Sequence, residues 1–285
     1  MTKIGTSDVT EARTERSLSD QELYALLSRP PRKVSLVKRR PELLLSPLLA
    51  VMLVLCWQAS VSWFGVSEYV LPPPLETFQA LWTNVTSGRY VDDFVFTLRN
   101  ILAGFGIGTL TGLIVGSVMS MSELLERVLH PYITAFQSFP KVALIPFLTL
   151  LLGFDAAPKI TIAAIISFLP VMVNTLSGLK AVDNESEELM KSLRASRTQT
   201  YFKLRLPAAL PYIFAGVELA LVLATLAEVT AEFLGSTMGL GFLVQNFSSQ
   251  LATADAFSLL FIFGLLGASS YYAVALFRKR FVYWQ

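Results

Sequence analysis

The sequence predicts an all-α, multi-pass membrane protein with about six transmembrane helices and both termini in the cytoplasm. Of its 285 residues, 53% are hydrophobic and only 15% are charged. Soluble domains have a similar apolar content but carry about 25% charged residues. Several apolar stretches also reach the roughly 20 residues that a helix needs to cross a bilayer. The low charge and the long apolar stretches together indicate a chain that lies in a membrane.

Six apolar stretches are candidate spans. In chain order they are roughly Leu43–Trp63, Phe94–Met119, Tyr132–Phe154, Ile160–Leu179, Pro211–Phe233 and Phe257–Phe277. The third stretch contains Pro140, Pro146 and Lys141, so we expect a broken helix there. Such a break is tolerated where the helix is surrounded by protein but not where it faces lipid.

The distribution of Lys and Arg orients these spans. Residues 1–42 carry nine basic residues, the connection after the fourth span carries six, and the C-terminal segment carries three. The opposite side holds Arg89 and Lys159, with Arg99 near the membrane edge. Short basic connections stay in the cytoplasm. Six spans with both termini inside satisfy this rule, which predicts a multi-pass protein of the inner or plasma membrane.

The chain divides into a polar N-terminal part and an apolar remainder. Residues 1–42 form a basic cytoplasmic extension that we expect to be partly disordered, and they lack the early apolar stretch of a secretory signal. Ser19 and Glu22 have the spacing of a capping box, so a short helix over Asp20–Leu27 is an alternative within this extension. Residues 43–285 form the transmembrane domain.

The connection between the fourth and fifth spans, about residues 184–206, predicts two short amphipathic helices. They cover about Glu185–Leu193 and Arg197–Leu206, and the turn between them lies at Arg194–Ser196. Ser196 and Gln199 have the spacing of a capping box. A loop that only fixes topology needs positive charge but no capped helices. We therefore interpret the connection as a docking element for a cytoplasmic partner, with the topology loop as the alternative.

Glycine recurs every fourth residue along the second span. The four positions are Gly104, Gly108, Gly112 and Gly116. They form one smooth helix face on which another helix can approach closely. Ordinary packing within one chain accounts for such a face, and a moving contact beside a transport pathway is the functional alternative.

Several chemistries are excluded by what the sequence lacks. One histidine and one cysteine, His130 and Cys56, provide neither a usual zinc ligand set nor an internal disulfide. The glycine-rich stretches have no lysine partner and no strand-to-helix context, so they are not phosphate-binding loops. We expect no catalytic residues, no metal site, no cofactor and no nucleic-acid partner, and any ATP-driven activity must use an ATPase on another polypeptide.

The connection resembles the EAA motif of ABC importer permeases, which is Glu-Ala-Ala, three residues, Gly, nine residues, then Ile-x-Leu-Pro. Counting back from Leu206 and Pro207, the glutamate corresponds to Glu188 and the glycine to Arg194. The stretches "TLRNILAGFGIGTLTGLIVG", "FPKVALIPFLTLLLGF", "LPAALPYIFAGVELAL" and "GSTMGLG" follow the same family pattern. The chain is therefore similar, over roughly residues 43–280, to permeases of the nitrate, sulfonate, taurine and bicarbonate group.

The resemblance implies a role and partners. A permease of this group forms the translocation pathway, with two copies paired in the membrane and a homodimer expected here. Two cytoplasmic ATPase subunits use the ATP, and a separate external or periplasmic protein binds the solute. The coupling residues that the resemblance implies lie in the connection: Glu188, Leu189, Leu193, Arg194, Ala195 and Ser196. Arg194 departs from the family glycine, which implies either a different turn or a shifted partner surface.

The fifth span carries three carboxylates, which we expect to face protein or water because intramembrane charge is costly. At 100° per residue, Glu218, Glu228 and Glu232 fall within about 80° of one another, and Thr225 lies in the same arc. Glu228, Glu232, Thr225 and Lys141 are candidate pathway residues. Each glutamate also has a structural alternative. Glu228 could pair with Lys141 or Arg99, and Glu218 could pair with a basic residue of the connection. Glu232 could bond to the "GSTMGLG" loop.

Two other functions remain open from the sequence. A proton-coupled secondary carrier would use Glu228 and Glu232 as a relay, although such carriers usually have an internal repeat and none is evident. A membrane scaffold or sensor would have a stable partner but no solute flux. An acidic pathway would favour a neutral or cationic organic solute over a small anion.

Overall fold

The computed structural model describes residues 42–282, and the predictions for the N-terminal extension, including the Ser19 and Glu22 capping box, lie outside the described residues. The described part of the chain divides after Cys56 into two units, residues 42–56 and 57–282. The first helix begins at Glu42 in the first unit and ends at Phe64 in the second. All regular structure among the described residues is helical, which confirms the all-α prediction.

Ten α-helices follow one another along residues 42–282, and a short 3₁₀ turn, Lys141–Leu144, precedes α5. They are α1 (Glu42–Phe64), α2 (Pro74–Thr86), α3 (Val91–Ser120), α4 (Glu123–Ser138), α5 (Ile145–Leu152), α6 (Ala156–Lys180), α7 (Asn184–Ser192), α8 (Arg197–Gly235), α9 (Leu240–Ser249) and α10 (Thr253–Phe281). Five of these are long and apolar enough to cross a membrane: α1, α3, α6, α8 and α10.

The predicted third span is a bent pair of helices. Its halves, Glu123–Ser138 and Lys141–Leu152, meet at an angle of 81°, and counting the pair as one span gives six. The predicted break is confirmed, and it occurs at Pro140, which has no N–H to continue a helix. The predicted start at Tyr132 is wrong, because the helix begins at Glu123, where the Ser122 side chain accepts from the Leu125 N–H at 3.3 Å.

The centre of the second unit is built from α3, α6 and α8. The four glycines of α3 are buried and lie against α6. A Cβ at Gly108 would lie 2.5 Å from the Ala164 carbonyl oxygen, and one at Gly112 would lie 2.7 Å from that of Phe168. The two backbones therefore approach to a distance that only glycine permits.

Two short helices, α2 and α9, were not expected from the sequence because neither is long enough to span a bilayer. The α9 helix follows Gly239, whose φ of +110° requires glycine. Its residues Leu240 and Phe247 belong to a buried apolar cluster with residues of α3, α8 and α10. The α9 helix thus packs against one end of the long helices.

Candidate functional site

The first helix of the cytoplasmic connection, α7, is bounded by an N-cap. Asp183 accepts from the backbone N–H of Ser186 at 2.6 Å, and its other oxygen accepts from the Ser186 hydroxyl at 2.9 Å. The backbone hydrogen bond holds the pKa of the Asp183 carboxyl below its usual value, because the N–H stabilises the charged form. The cap is Asp183, and α7 covers Asn184–Ser192, so each end lies one residue before that of the predicted Glu185–Leu193.

The turn after α7 has a left-handed residue at the position of the family glycine. Arg194 has a φ of +50°, and its backbone N–H donates to the Lys191 carbonyl at 2.9 Å. The N–H of Ala195 donates to the Met190 carbonyl at 3.0 Å, which closes the helix end. Of the two expected consequences of this substitution, a different turn is therefore wrong: the left-handed turn is kept with a non-glycine residue.

The capping box at the start of α8 is confirmed. The Ser196 hydroxyl accepts from the Gln199 N–H at 3.2 Å, and the Gln199 side chain accepts from the Ser196 N–H at 2.8 Å. The expected end of this helix at Leu206 is wrong, because the helix continues through a π-helical turn, Tyr201–Arg205, as far as Gly235. The wider turn precedes Pro207, which lacks an N–H, and lets the chain remain helical.

Side-chain bonds attach α7 to the base of α8. The Arg205 guanidinium contacts one carboxylate oxygen of Glu187 twice, at 2.6 Å through Nη2 and at 2.9 Å through Nε. The Tyr201 hydroxyl donates to Ser117 Oγ of α3 at 3.0 Å. Because α8 is one continuous helix, the Glu187–Arg205 pair links α7 directly to a membrane span, and the Tyr201 bond joins the same part of α8 to α3.

The outer surface of the connection presents apolar side chains. Leu189 is 60% exposed, Leu193 is 69% exposed and Phe202 is 60% exposed. Glu188, Arg194 and Ser196 are exposed, and Ala195 is half-buried. The structure therefore places all six residues implied by the family motif in one short segment whose apolar side chains are uncovered.

Buried polar groups join α3, α8 and the loop before α9 at the other end of the span. Glu232 is fully buried and accepts from the Thr97 hydroxyl at 2.7 Å and from the Gly241 N–H at 2.7 Å. Thr97 Oγ1 accepts from the Leu240 N–H at 2.9 Å, and Asp93 accepts from the Gly239 N–H at 2.6 Å. Glu232 thus bonds the "GSTMGLG" loop, one of the alternatives open from the sequence.

Glu228 lies one turn below Glu232 and is also fully buried. Its Oε1 accepts from Asn100 Nδ2 of α3 at 3.0 Å, which is the partner found instead of Lys141 or Arg99. Thr225 is buried and donates to the Leu221 carbonyl at 2.9 Å. These three candidate residues therefore face the interior of the chain.

Two further charged side chains have partners other than the alternatives named from the sequence. Lys141 is half-buried at the bend after α4, and its ammonium donates to the Gln137 carbonyl at 3.1 Å. Glu218 pairs with Arg278 of α10 at 3.3 Å, whereas a partner in the cytoplasmic connection was expected. The reason is that α10 returns to the same end of the structure and brings its C-terminal basic residues beside α8.

Lys159, which the charge distribution assigned to the side opposite the cytoplasm, is a buried side chain. Its side chain is fully buried, and its ammonium donates to three carbonyl oxygens. These belong to Phe154 at 2.5 Å, Asp155 at 2.7 Å and Gly235 at 3.0 Å. The position of Lys159 within the apolar stretch "AAPKITIAA" was the only signal of this burial. The three bonds tie the start of α6 to the end of α8.

Comparisons with known proteins identify relatives along most of the chain. The family model described as binding-protein-dependent transport system inner membrane component matches residues 108–283. The chain is 32% identical to the putative aliphatic sulfonates transport permease protein SsuC of Escherichia coli, over 83% of this chain and 90% of that protein. It is 31% identical to the riboflavin transport system permease protein RibX of Chloroflexus aurantiacus, over 84% of this chain and 89% of the relative. The formylaminopyrimidine transport permease protein ThiX of Halalkalibacterium halodurans is 28% identical, over 84% and 94% of the two chains.

The fold is similar to that of a solved ABC transporter. An inward-facing structure of the methionine transporter MetNI matches with a TM-score of 0.58 and 19% identity, covering 67% of this chain and 95% of the other. The spans and the family together place the protein in the inner membrane as a multi-pass component. The chain belongs to the family of binding-protein-dependent transport system inner membrane components, the permease subunits of ABC importers.

Proposed function

We propose that this permease couples to its ATPase through α7 and the turn that follows it, and that it imports a small solute of the nitrate, sulfonate or taurine type. The observation that carries the proposal is the short capped helix with uncovered apolar side chains, fixed by the Glu187–Arg205 ion pair to the base of α8. A rigid element attached in this way transmits a push to a membrane span, whereas a flexible loop would absorb it.

The proposed coupling surface has an apolar and a polar part. Leu189 and Leu193 lie four residues apart and are more than half exposed, as expected for anchors that fill a partner's groove. Glu188 supplies a charge beside them, and Arg194, Ala195 and Ser196 form the turn that sets the direction of α8. We therefore assign ATPase contact to these six residues.

The proposed assembly is the one that membership of the family implies. Two permease copies, a homodimer, enclose the pathway, two ATPase subunits lie on the cytoplasmic side, and an external protein delivers the solute. The ATP is bound by the ATPase, so this chain has no cofactor and no enzymatic activity of its own. Relatives named for aliphatic sulfonates, riboflavin and formylaminopyrimidine support a small organic solute.

The candidate pathway residues have different roles in this proposal. Glu228, Glu232 and Thr225 are positioning residues beside the pathway, because their side chains are buried within the chain. Lys141 is the candidate that remains accessible. The glycine face of α3 serves the close packing of α3 on α6. A proton relay through Glu228 and Glu232 is not favoured, since the relatives are ABC importer components.

The test of the coupling surface is Glu188→Lys in the complete transporter. We expect the ATPase to co-purify at least about tenfold less with this variant, because the reversed charge leaves a partner cation unpaired at the interface. The membrane level of the permease should not change, since Glu188 is exposed and has no structural partner among the described contacts. Co-purification from membranes in mild detergent measures the effect.

Glu123→Lys is the matched control. Glu123 is an exposed carboxylate at the start of α4 that pairs with Arg127 within its own helix. The same charge reversal there should leave ATPase co-purification unchanged. Normal ATPase co-purification with Glu188→Lys would contradict the proposed docking surface.

A further inference from the structure

We propose that one face of α4 and of the bend after it forms a wall of the solute pathway, and that Gln137 and Lys141 contact an oxyanion group of the solute. The accessible polar side chains of this face are Thr134, Gln137, Ser138 and Lys141, and we call them the α4 polar face. The proposal deepens the proposed function and rests on it.

The opposite side of α4 is apolar and packed. Leu125, Leu129 and Ile133 lie against a buried cluster formed by Met119 of α3 and by Leu169 and Met172 of α6. At 100° per residue, Thr134, Gln137 and Ser138 lie roughly 80° to 180° around the helix from the middle of this packed side. The α4 polar face therefore points away from the rest of its own chain.

The two ends of the segment show that this face lies within the membrane. Near the start of α4, Glu126 pairs with Lys180 at the cytoplasmic end of α6. Beyond the bend, the segment ends at Phe154, whose carbonyl accepts from Lys159 at the opposite end of α6. The 16 residues of α4 extend about 24 Å, most of the way across a hydrocarbon layer of about 30 Å. The α4 polar face thus lies at membrane depth, beyond the middle of the helix.

Lipid is a poor environment for two members of this face. The hydroxyls of Thr134 and Ser138 bond to carbonyls of their own helix, at 3.0 and 3.1 Å, so lipid would tolerate them. The Gln137 amide is exposed, and the half-buried Lys141 side chain ends in an ammonium group. Such groups at membrane depth face protein or a water-filled cavity. We assign them to the pathway, because their own chain covers neither of them completely.

The charge of this face indicates the chemistry of its ligand. The Lys141 ammonium donates to the carbonyls of Gln137 and Phe139, at 3.1 and 3.5 Å, and has three donors in total. Its remaining donor and the nearby Gln137 amide suit the oxygens of a sulfonate or carboxylate. Glu228 and Glu232 do not oppose this charge on the exposed surface, since both are fully buried. The expectation of a neutral or cationic solute assumed that these two glutamates line the pathway, and their burial removes its basis.

Thiol labelling tests both parts of the proposal without a known solute. Cys56 is the only cysteine of the chain, so Cys56→Ser provides a background for Gln137→Cys and Ser138→Cys. The probes are a negatively and a positively charged water-soluble methanethiosulfonate, applied to membranes that contain the complete transporter. Leu110→Cys and Ile114→Cys are the controls, since these α3 side chains are 61% and 53% exposed on an apolar face.

We expect both reagents to label positions 137 and 138 and to leave positions 110 and 114 unlabelled. The negative reagent should react at least about threefold faster than the positive one, because the Lys141 charge attracts it. Lys141→Ala should abolish this preference and Lys141→Arg should keep it. Absence of labelling at 137 and 138 would overturn the pathway wall, and labelling without charge preference would overturn the oxyanion contact.

The result is separable from the proposed ATPase coupling. Labelling is measured in membranes on the permease itself, and ATPase co-purification is measured on the same preparation. If the ATPase co-purifies but positions 137 and 138 are unlabelled, only the pathway assignment fails. If the positions are labelled but Glu188→Lys still binds the ATPase, only the coupling surface fails.

Discussion

At the scale of single residues, buried polar side chains fix the ends of the long helices where backbone bonds are incomplete. The last carbonyls of a helix have no partner within the helix. Lys159 satisfies one of these, Gly235 at the end of α8, together with the carbonyls of Phe154 and Asp155. At the start of α9, where the first N–H groups have no partner within the helix, the Glu232 carboxylate accepts from the N–H of Gly241. Single side chains thus connect segments that are distant in sequence.

Replacing Lys159 by Met should destabilise the permease by about 2–4 kcal/mol. The substitution keeps an unbranched side chain but leaves three buried carbonyls without their charged donor. We expect the unfolding temperature in detergent to fall by roughly 5–10 °C, which a thermal aggregation assay would measure. The unfolding temperature of Lys159→Arg should fall less, because arginine keeps a charged donor at this position.

Lys141→Met is the control, because the groups that this ammonium contacts all lie near it in the chain: the carbonyls of Gln137 and Phe139 and the ring of Phe136. Its unfolding temperature should stay within about 2 °C of the wild type. An equal loss of stability in the Lys141 and Lys159 variants would contradict the role of Lys159 as a tie between α6 and α8.

At the scale of elements, the sequence predicts those features of the helices that depend on the length of an apolar stretch or on hydrogen bonds between neighbouring residues. The long spans, the break at Pro140 and the Ser196 capping box follow from apolar length, a missing N–H and a four-residue motif. The merger of the second cytoplasmic helix with the fifth span does not, because the π-helical turn before Pro207 leaves no distinct sequence signal. The bond from Lys159 to the Gly235 carbonyl could not be predicted either, because the two residues are 76 positions apart in the sequence.

The packing of α3 on α6 gives a second prediction, which compares two glycines of one helix. At Gly108 a Cβ would meet the Ala164 carbonyl at 2.5 Å, whereas at Gly106 nothing lies within 4 Å. Gly108→Val should therefore force the helices apart and cost about 3 kcal/mol or more. Gly106→Val should change stability by less than about 1 kcal/mol. Thermal unfolding of the two variants in detergent measures the difference, and equal unfolding temperatures would contradict the close approach.

At the scale of the whole molecule, the structure provides a continuous mechanical connection from the cytoplasm to the far end of the membrane. It begins at α7, passes through Arg205 into α8, and follows that helix to Gly235. There Lys159 joins α8 to α6, and Glu232 joins it to α3 through Thr97. A displacement of α7 would therefore reach α6 and α3 at the opposite end.

In the proposed coupling, ATPase binding and the transmission of motion use different residues, which gives the last prediction. Arg205→Gln breaks the ion pair with Glu187 but leaves the outer surface of α7 intact. We expect the ATPase to co-purify normally, while stimulation of ATP hydrolysis by the solute-loaded binding protein falls at least about fivefold. Glu188→Lys should instead lose the ATPase itself. Because the effect depends on the pair, the double variant Glu187→Arg with Arg205→Glu should show more stimulation of ATP hydrolysis than either single charge reversal.

Arg127→Gln is the matched control, since Arg127 forms an exposed pair with Glu123 inside a single helix and joins no two elements. Stimulation of ATP hydrolysis in this variant should equal that of the wild type, because exposed ion pairs of this kind contribute little to stability. Full stimulation of Arg205→Gln would contradict the role of the Glu187–Arg205 pair and would leave the turn at Arg194 as the connection from α7 to α8.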